Sequence, residues 1–287
     1  MDKVIFGSVP TGDDQCRFDY RVLEAAIKKI IKERLGNEDH PLSSIQSSPH
    51  RQSATFVVAQ SALNTASTPT VFRSYGGENV RASKCAIWQA ARATSAAPLY
   101  FKTIEIGNPA IPYVDGGLGH NNPSEIALRE AKELWPTQRH FCLVSLGTGR
   151  PTAVEVGKFS DNNNDIEKQR SFVEQLIMSS LPKLGEWIPG WRTAKAFPPG
   201  VNTLMSMAGA LAKLVTNSEE VHRRLSKGTA ELVYFRFNVE RDVGDIGFED
   251  WRMQTRIAAH TAAYLGEPET EEKMLKCAKS LIESVCK

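Results

Sequence analysis

Residues 112–131 read PYVDGGLGHNNPSEIALREA. An apolar run of strand character ends at Val114, and Asp115 follows, then Gly116 and Gly117, then Asn121-Asn122-Pro123, then a pattern of helical period. Pro123 suits the first position of a helix and Asn122 suits its cap. The proline gives up a donor that a helix start cannot use, and the asparagine side chain satisfies one that would otherwise be orphaned. Strand, glycine turn and helix in direct succession form the unit from which layered α/β proteins are built. The aspartate at the strand end is open to three readings: a turn residue binding its own backbone, a metal ligand, or a general base kept accessible by the glycines behind it. The turn is the commonest meaning of such a tripeptide. His120 and Glu125 lie close by but match no recognised ligand spacing, so no metal is expected.

Working outward, strand and helix patterns alternate as far as residue 149. Asp19 to Leu35 predicts an amphipathic helix, with Leu23, Ala26, Ile27, Ile30 and Ile31 on one face and Gly36 as the stop. Ala54–Ala59 and Thr70–Tyr75 predict short strands. Lys84 to Thr94 predicts an Ala-rich helix that another backbone can approach closely. Leu99 to Ile106 predicts a strand. Pro123 opens a helix ending near Leu134. Phe141 to Leu146 (FCLVSL) is a continuous apolar run, the mark of a strand covered on both faces. An α/β layered sheet follows from this alternation. Beyond residue 149 the pattern changes. Helices are predicted over 166–181, 204–215, 218–225, 249–265 and 270–285, and one strand over Glu231–Val239, with Val233, Phe235, Phe237 and Val239 sharing a face.

Composition narrows the function classes. At 287 residues, 41% hydrophobic and 24% charged, the chain is long and apolar enough for a real core. A net charge of +2, with no basic tract or zinc-finger spacing, gives no reason to expect nucleic acid. Cys16, Cys85, Cys142, Cys277 and Cys286 are scattered, without a CxxC, and fit a reducing compartment. The opening MDKVIFGSVPTGDD lacks the apolar core of a leader. The longest apolar stretch, Leu204–Val215, contains Lys213 and is too short to span a bilayer. A cytoplasmic protein, at most peripheral to a membrane, is expected. The segment GEWIPGWRTAKAFPPG interleaves Trp187, Trp191 and Phe197 with Arg192 and Lys195, a mixture that suits a membrane interface and equally a packed loop.

The search for chemistry yields a carboxylate without a partner. The acyl-hydrolase elbow GxSxG occurs nowhere. Ser145 in LVSLG fits only half of it and reads as a buried strand serine. The six histidines form no close motif, and none of the cysteines sits in a nucleophile context. Gly147-Thr148-Gly149 after an apolar strand is a weak nucleotide signal, because the full phosphate-cradling pattern is missing.

Three strings in order, IWQAARATSAAPLYFKTIEI, YVDGGLGHNNPSEIALREAKELWP and LVSLGTG, resemble the patatin-like phospholipases. The resemblance is strongest to the fungal patatin-like proteins, where this domain often sits in a longer multidomain chain. It is strong over residues 15 to 150, and TNSEEVHRRL and YFRFNV look like the continuation seen there. It implies a three-layer α/β patatin-like fold, with residues 1–150 a partial domain and 151–287 a mostly helical continuation with one strand. It also implies a lipid acyl hydrolase with a Ser–Asp dyad that acts on phospholipid or acylglycerol at a lipid or membrane surface, without a cofactor. Asp115 would be the base, Gly116 and Gly117 would shape its loop, and Asn121, Asn122 and Pro123 would start the helix that holds it. The glycine-rich oxyanion loop and GxSxG of that family have no counterpart here. The fold is therefore expected to be incomplete at its N-terminus, with exposed strand edges, and the chain to be inactive alone. The alternative is a non-catalytic lipid-binding or regulatory protein.

Overall fold

The computed structural model of the chain describes residues 16, 18–43, 53–64, 68–76, 83–98, 100–149, 218–239, 243, 246 and 250–285. Trp187, Trp191 and the helices expected over 166–181 and 204–215 lie outside them.

Helix α1 (Tyr20–Leu35) starts where Asp19 accepts a hydrogen bond from Arg21 N and stops at Gly36, whose left-handed φ of 79° returns its N–H to Lys32. Strands β1 (Phe56–Ser61) and β2 (Thr70–Arg73) form an antiparallel pair. Helix α2 (Ile87–Thr94) leads to β3 (Ile104–Ile106) and β4 (Ile111–Asp115), a hairpin turned at Gly107 and a cis Asn108–Pro109 bond. The sheet order is β2-β1-β4-β3, antiparallel throughout.

Alternation along the strands fills both faces. Ala59, Phe72 and Tyr113 point to α2 and join Ala90, Ala93, Ile104 and Ile106 in the larger core. Val58 and Val71 point the other way, to Ile126 of α3 (Ser124–Leu134). With α1 packed on α2, helices cover the sheet on both sides, and the architecture is a three-layer α/β one. A second, parallel pair joins β5 (Phe141–Leu146) to β6 (Leu232–Phe237). A helix over 218–226, here α4, precedes β6. A 3-10 turn (Trp251–Met253), α5 (Gln254–Leu265) and α6 (Pro268–Val285) complete the described chain, and α6 packs on β5 and β6. Among the described residues no helix is long and apolar enough to cross a membrane.

Four expectations change. Helix α2 starts at Ile87 and not Lys84, because Leu42 N bonds to Cys85 O and Ala86 forms a β-bridge with Pro41. The strand expected from Leu99 shrinks to Ile104–Ile106, since Tyr100 N and Phe101 N turn back to Ala97 O. Strand β5 is not covered on both faces: it has one neighbour among the described residues, and Leu146 is 76% exposed. On β6 the alternation is inverted, for Val233 is exposed and Arg236 is buried.

Charge also holds the layers together. Glu130 of α3 is 2% exposed. Its carboxylate takes two hydrogen bonds from the Arg73 guanidinium and a third, 2.9 Å, from the Tyr75 hydroxyl. Burial alone would push Glu130 up, but the bonds from Arg73 and Tyr75 and the Arg73 charge outweigh it and hold the carboxyl below the usual range. A depressed folded pKa means stability that is present above the unfolded value of 4.5 and lost as pH falls through the folded one. Glu130→Gln should cost about 3 kcal/mol at neutral pH, the penalty for leaving a buried partner unpaired. It should also flatten the loss of stability below about pH 4.5. Thermal melts of both proteins from pH 7 to pH 3 check this; parallel curves would refute it.

Candidate active site

The end of β4 is fixed by its neighbours before any side chain is considered. Asp115 lies opposite Ala59 in the β1 register, and its N–H donates to Ala96 O at 3.0 Å, just beyond α2. The Thr94 hydroxyl donates to Val58 O at 2.7 Å. Ala59, Ala93 and Ala96 are all fully buried, and their small side chains let helix, sheet and loop meet closely. Gly116 then passes under β1. A Cβ on it would lie 2.3 Å from Val58 O, a backbone atom that cannot swing away. Here glycine serves close approach, not an unusual dihedral.

The Asp115 side chain is half-buried. Oδ1 accepts the Gly117 N–H at 2.7 Å, closing an Asx turn, while Oδ2 receives no hydrogen bond from the described residues. No described hydroxyl or thiol bonds to the carboxylate. Burial pushes the carboxyl above its ordinary range, and the Gly117 N–H offsets this only in part. A carboxylate with a raised pKa and one open oxygen can take a proton from a hydroxyl brought against it.

The loop beyond bends twice. Gly117–His120 is a single helical turn interrupted at Leu118 and at Gly119, whose φ is 113°. His120 is part-buried, its Nδ1 lacks a hydrogen-bond partner among the described residues, and burial together with Arg129 lowers its pKa. Asn121 and Pro123 are exposed, and only Asn122 of the predicted trio is buried. Asn122 Oδ1 accepts from Ser124 N at 3.2 Å and from Ser124 Oγ at 2.6 Å, but the cap position expected for it falls to Pro123, which makes no side-chain cap bond. The first helical residue is Ser124, one later than expected, because Pro123 has a ψ of 14°.

Sequence reading missed what holds Asn122. Its Nδ2 donates to Ser218 O at 3.1 Å. The Ser124 hydroxyl lies 2.9 Å from that of Ser145 on β5. Arg236 Nη1 donates to Ser145 Oγ at 2.8 Å, and Nη2 to Ser218 Oγ at 3.1 Å. The available signal was a serine and an arginine interrupting two otherwise apolar strands, Ser145 in FCLVSL and Arg236 in LVYFRF.

A raised acid pKa sets a sign for Asp115. Its folded state favours the proton, so the carboxyl supports stability below the unfolded value of 3.8 and opposes it as pH rises through the folded one. Asp115→Asn keeps the acceptor for Gly117 N–H and removes the charge. It should raise the melting temperature at pH 7, and the gain should vanish below about pH 4. Equal melting temperatures at pH 7 would contradict this. Gly116→Ala should lower stability by about 1–3 kcal/mol through overpacking against Val58. Gly117→Ala should cost less, since its Cβ would meet the Asp115 side chain at 3.1 Å and not a backbone. Denaturant titrations that rank the two the other way would overturn the assignment.

Residues 14–128 match the family model described as patatin-like phospholipase. The curated relatives include calcium-independent phospholipase A2-gamma of Oryctolagus cuniculus, 37% identical over 155 residues. That of Mus musculus is 38% identical over 157 residues. Each alignment takes in 51% of this chain and 18% or 19% of the relative. Phospholipase A I of Arabidopsis thaliana is 28% identical over 200 residues, 55% of this chain and 15% of that protein. The matched chain thus spans about a fifth of the length of these relatives. The match takes in α1, the four-stranded sheet, α2 and the Asp115-Gly116-Gly117 turn, and over residues 14–128 the chain is similar to the patatin-like phospholipases, a family of α/β fold.

Proposed function

We propose that this chain carries the base half of a serine-dependent lipid acyl hydrolase, with Asp115 as proton acceptor. The observation that carries the reading is the Asp115 carboxylate. It stands at a strand end in a segment similar to phospholipases, raised in pKa by burial and, among the described residues, bonded through Oδ1 alone. A serine hydroxyl is a poor nucleophile until a neighbouring base takes its proton, and an aspartate in a dehydrated site can be that base without a histidine.

In this reading the serine comes from polypeptide outside the 287 residues, because GxSxG is absent from them and no described hydroxyl bonds to Asp115. Gly116 and Gly117 set the loop, and Asn122 anchors its far end at the start of α3. Asn121 and Pro123, both exposed, shape the approach to that start. The substrate is an ester of phospholipid or acylglycerol presented at a lipid surface, and the chemistry needs no metal or cofactor. The phospholipase names of the relatives support that substrate class. Residues 1–150 then contribute part of the patatin-like domain and residues 151–287 its continuation, in the cytoplasm or at a membrane face.

The same absence supports a second reading, a lipid-binding or regulatory chain that performs no hydrolysis. The two separate by experiment. The 5′ end of the transcript is read for an in-frame segment encoding a glycine-rich loop and GxSxG. Joined to that segment, the protein should release fatty acid from phosphatidylcholine vesicles, and Asp115→Asn should reduce turnover by about 10³-fold. Full turnover by that variant would exclude Asp115 as the base. The 287-residue chain alone should bind vesicles without releasing fatty acid.

A further inference from the structure

Arg236 lies on β6, is 8% exposed and has no carboxylate paired with it among the described residues. A guanidinium kept from water without a counter-charge is costly, so its position needs a reason. Part of the reason is covering. The loop after β5 curls over it: a Cβ on Gly147 would lie 3.0 Å from Arg236 Nη2 and 2.1 Å from Asn238 Oδ1, and that same oxygen accepts Gly149 N–H at 2.8 Å. The rest lies in its bonds. One fork nitrogen reaches Ser145 on β5 and the other reaches Ser218 at the head of α4.

These contacts close a ring. A hydroxyl has one proton to give. Ser124 lies 2.6 Å from Asn122 Oδ1, an acceptor only, and 2.9 Å from Ser145 Oγ. With its proton given to Asn122, Ser124 takes that of Ser145, which in turn accepts from Arg236. Asn122 Nδ2 returns the path to Ser218 O. Four separate parts of the chain therefore meet at Asn122, the residue that ends the turn begun by Asp115. The near end of that turn is pinned by Ala96 and Val58, and the far end is pinned by this ring. Between them Leu118 and Gly119 depart from helical geometry, so the intervening path follows from where its two ends are held.

We propose that Arg236 is a positioning residue for the Asp115 loop, acting through Ser145, Ser124 and Asn122. Its side-chain bonds run to Ser145 and Ser218 and not to the carboxylate. Burial raises the Asp115 carboxyl and the Gly117 N–H offsets this in part; on this proposal the guanidinium works through geometry and not through its field. The inference gives Arg236 a place in the reading of Asp115 as a base, but its test needs no substrate and no serine.

The test follows the Asp115 carboxyl carbon by NMR titration in the 287-residue chain, for wild type, Arg236→Met, Arg236→Lys and Ile31→Val. In the wild type burial should hold the midpoint above that of an ordinary aspartate. Releasing the far end of the loop admits water, and Arg236→Met should bring the midpoint down toward the ordinary value. Arg236→Lys keeps the charge but has no planar fork to bridge Ser145 and Ser218, so it should move the midpoint as Met does. Ile31→Val loosens the core at α1, away from the ring, and should leave the midpoint in place. If Arg236→Met does not fold, Ser145→Ala cuts the ring at one hydroxyl and should give the same downward shift. An unchanged midpoint in the variants of the ring overturns the proposal. So does a wild-type midpoint in Arg236→Lys alone, which would assign the effect to charge, or an equal shift in Ile31→Val, which would assign it to general loosening. A moved midpoint with no hydrolysis by the extended protein would leave Arg236 in its role and remove the base assignment instead.

Discussion

The close passage of Gly116 beneath the Val58 carbonyl is the constraint on which the site depends. Two further contacts converge on the same few ångströms: Thr94 donates to that carbonyl, and Ala96 accepts the Asp115 N–H. They are compatible only because alanine recurs at 59, 93 and 96, where helix α2 and its exit loop meet the sheet. A bulkier residue at any of these points would separate α2 from β1 and β4, and the Asp115 N–H would lose its acceptor. The carboxylate thus takes its place from main-chain contacts, and its side chain closes the turn to Gly117 through Oδ1.

Helix α3 shows a second principle, that polar contacts orient what apolar packing leaves loose. Its buried residues are Ser124, Ile126 and Glu130, and only one of them is apolar. Ile126 sets the helix against Val58 and Val71 but cannot by itself fix rotation about the helix axis. Glu130 bonded to Arg73 and Tyr75 fixes the middle, and Ser124 bonded to Asn122 and Ser145 fixes the start. Buried groups of this kind tolerate one arrangement only, since each displaced partner leaves an unsatisfied donor or charge. The first cluster links α3 to the four-stranded sheet and the second links it to the parallel pair. The helix that follows the Asp115 turn is thereby the joint between the two sheets.

What could be read from the sequence follows a physical line. Helix α1 was legible because its signals are local: Asp19 caps it, apolar residues repeat with helical period, and Gly36 accepts a left-handed φ of 79°. The Asp115 turn was legible for the same reason, its glycines and Asn122 being neighbours in the chain. Features decided by distant residues were not. The start of α2 is set by a bridge to Pro41. The inverted alternation of β6 arises because Arg236 finds hydroxyls on β5 and α4, so a rule based on hydrophobicity places Val233 and Arg236 on the wrong faces. Glu130, inside SEIALREAKEL, reads as a surface charge until Arg73, far back in the chain, is known to face it. The exposure of Leu146 was hidden for the opposite reason. A continuous apolar run predicts cover on both faces, and one paired edge among the described residues does not supply it.

Two of the readings of Asp115 that the sequence left open, the turn and the base, are not mutually exclusive in the folded chain. The Asx turn is real, since Oδ1 binds Gly117 N–H at 2.7 Å. A carboxylate used only for that turn would gain nothing from dehydration, which pushes its pKa up and opposes the folded state at neutral pH. An exposed asparagine or serine would close the same turn without that penalty. The turn instead holds one oxygen still, and among the described residues the other has no donor, so the carboxylate is oriented but not satisfied by them. An oriented, underbonded, partly dehydrated carboxylate is the state in which an acid accepts a proton most readily. On the proposed reading the turn is the means by which the fold presents the base, and a glycine is required at 116 because the same geometry leaves no room for a Cβ against β1.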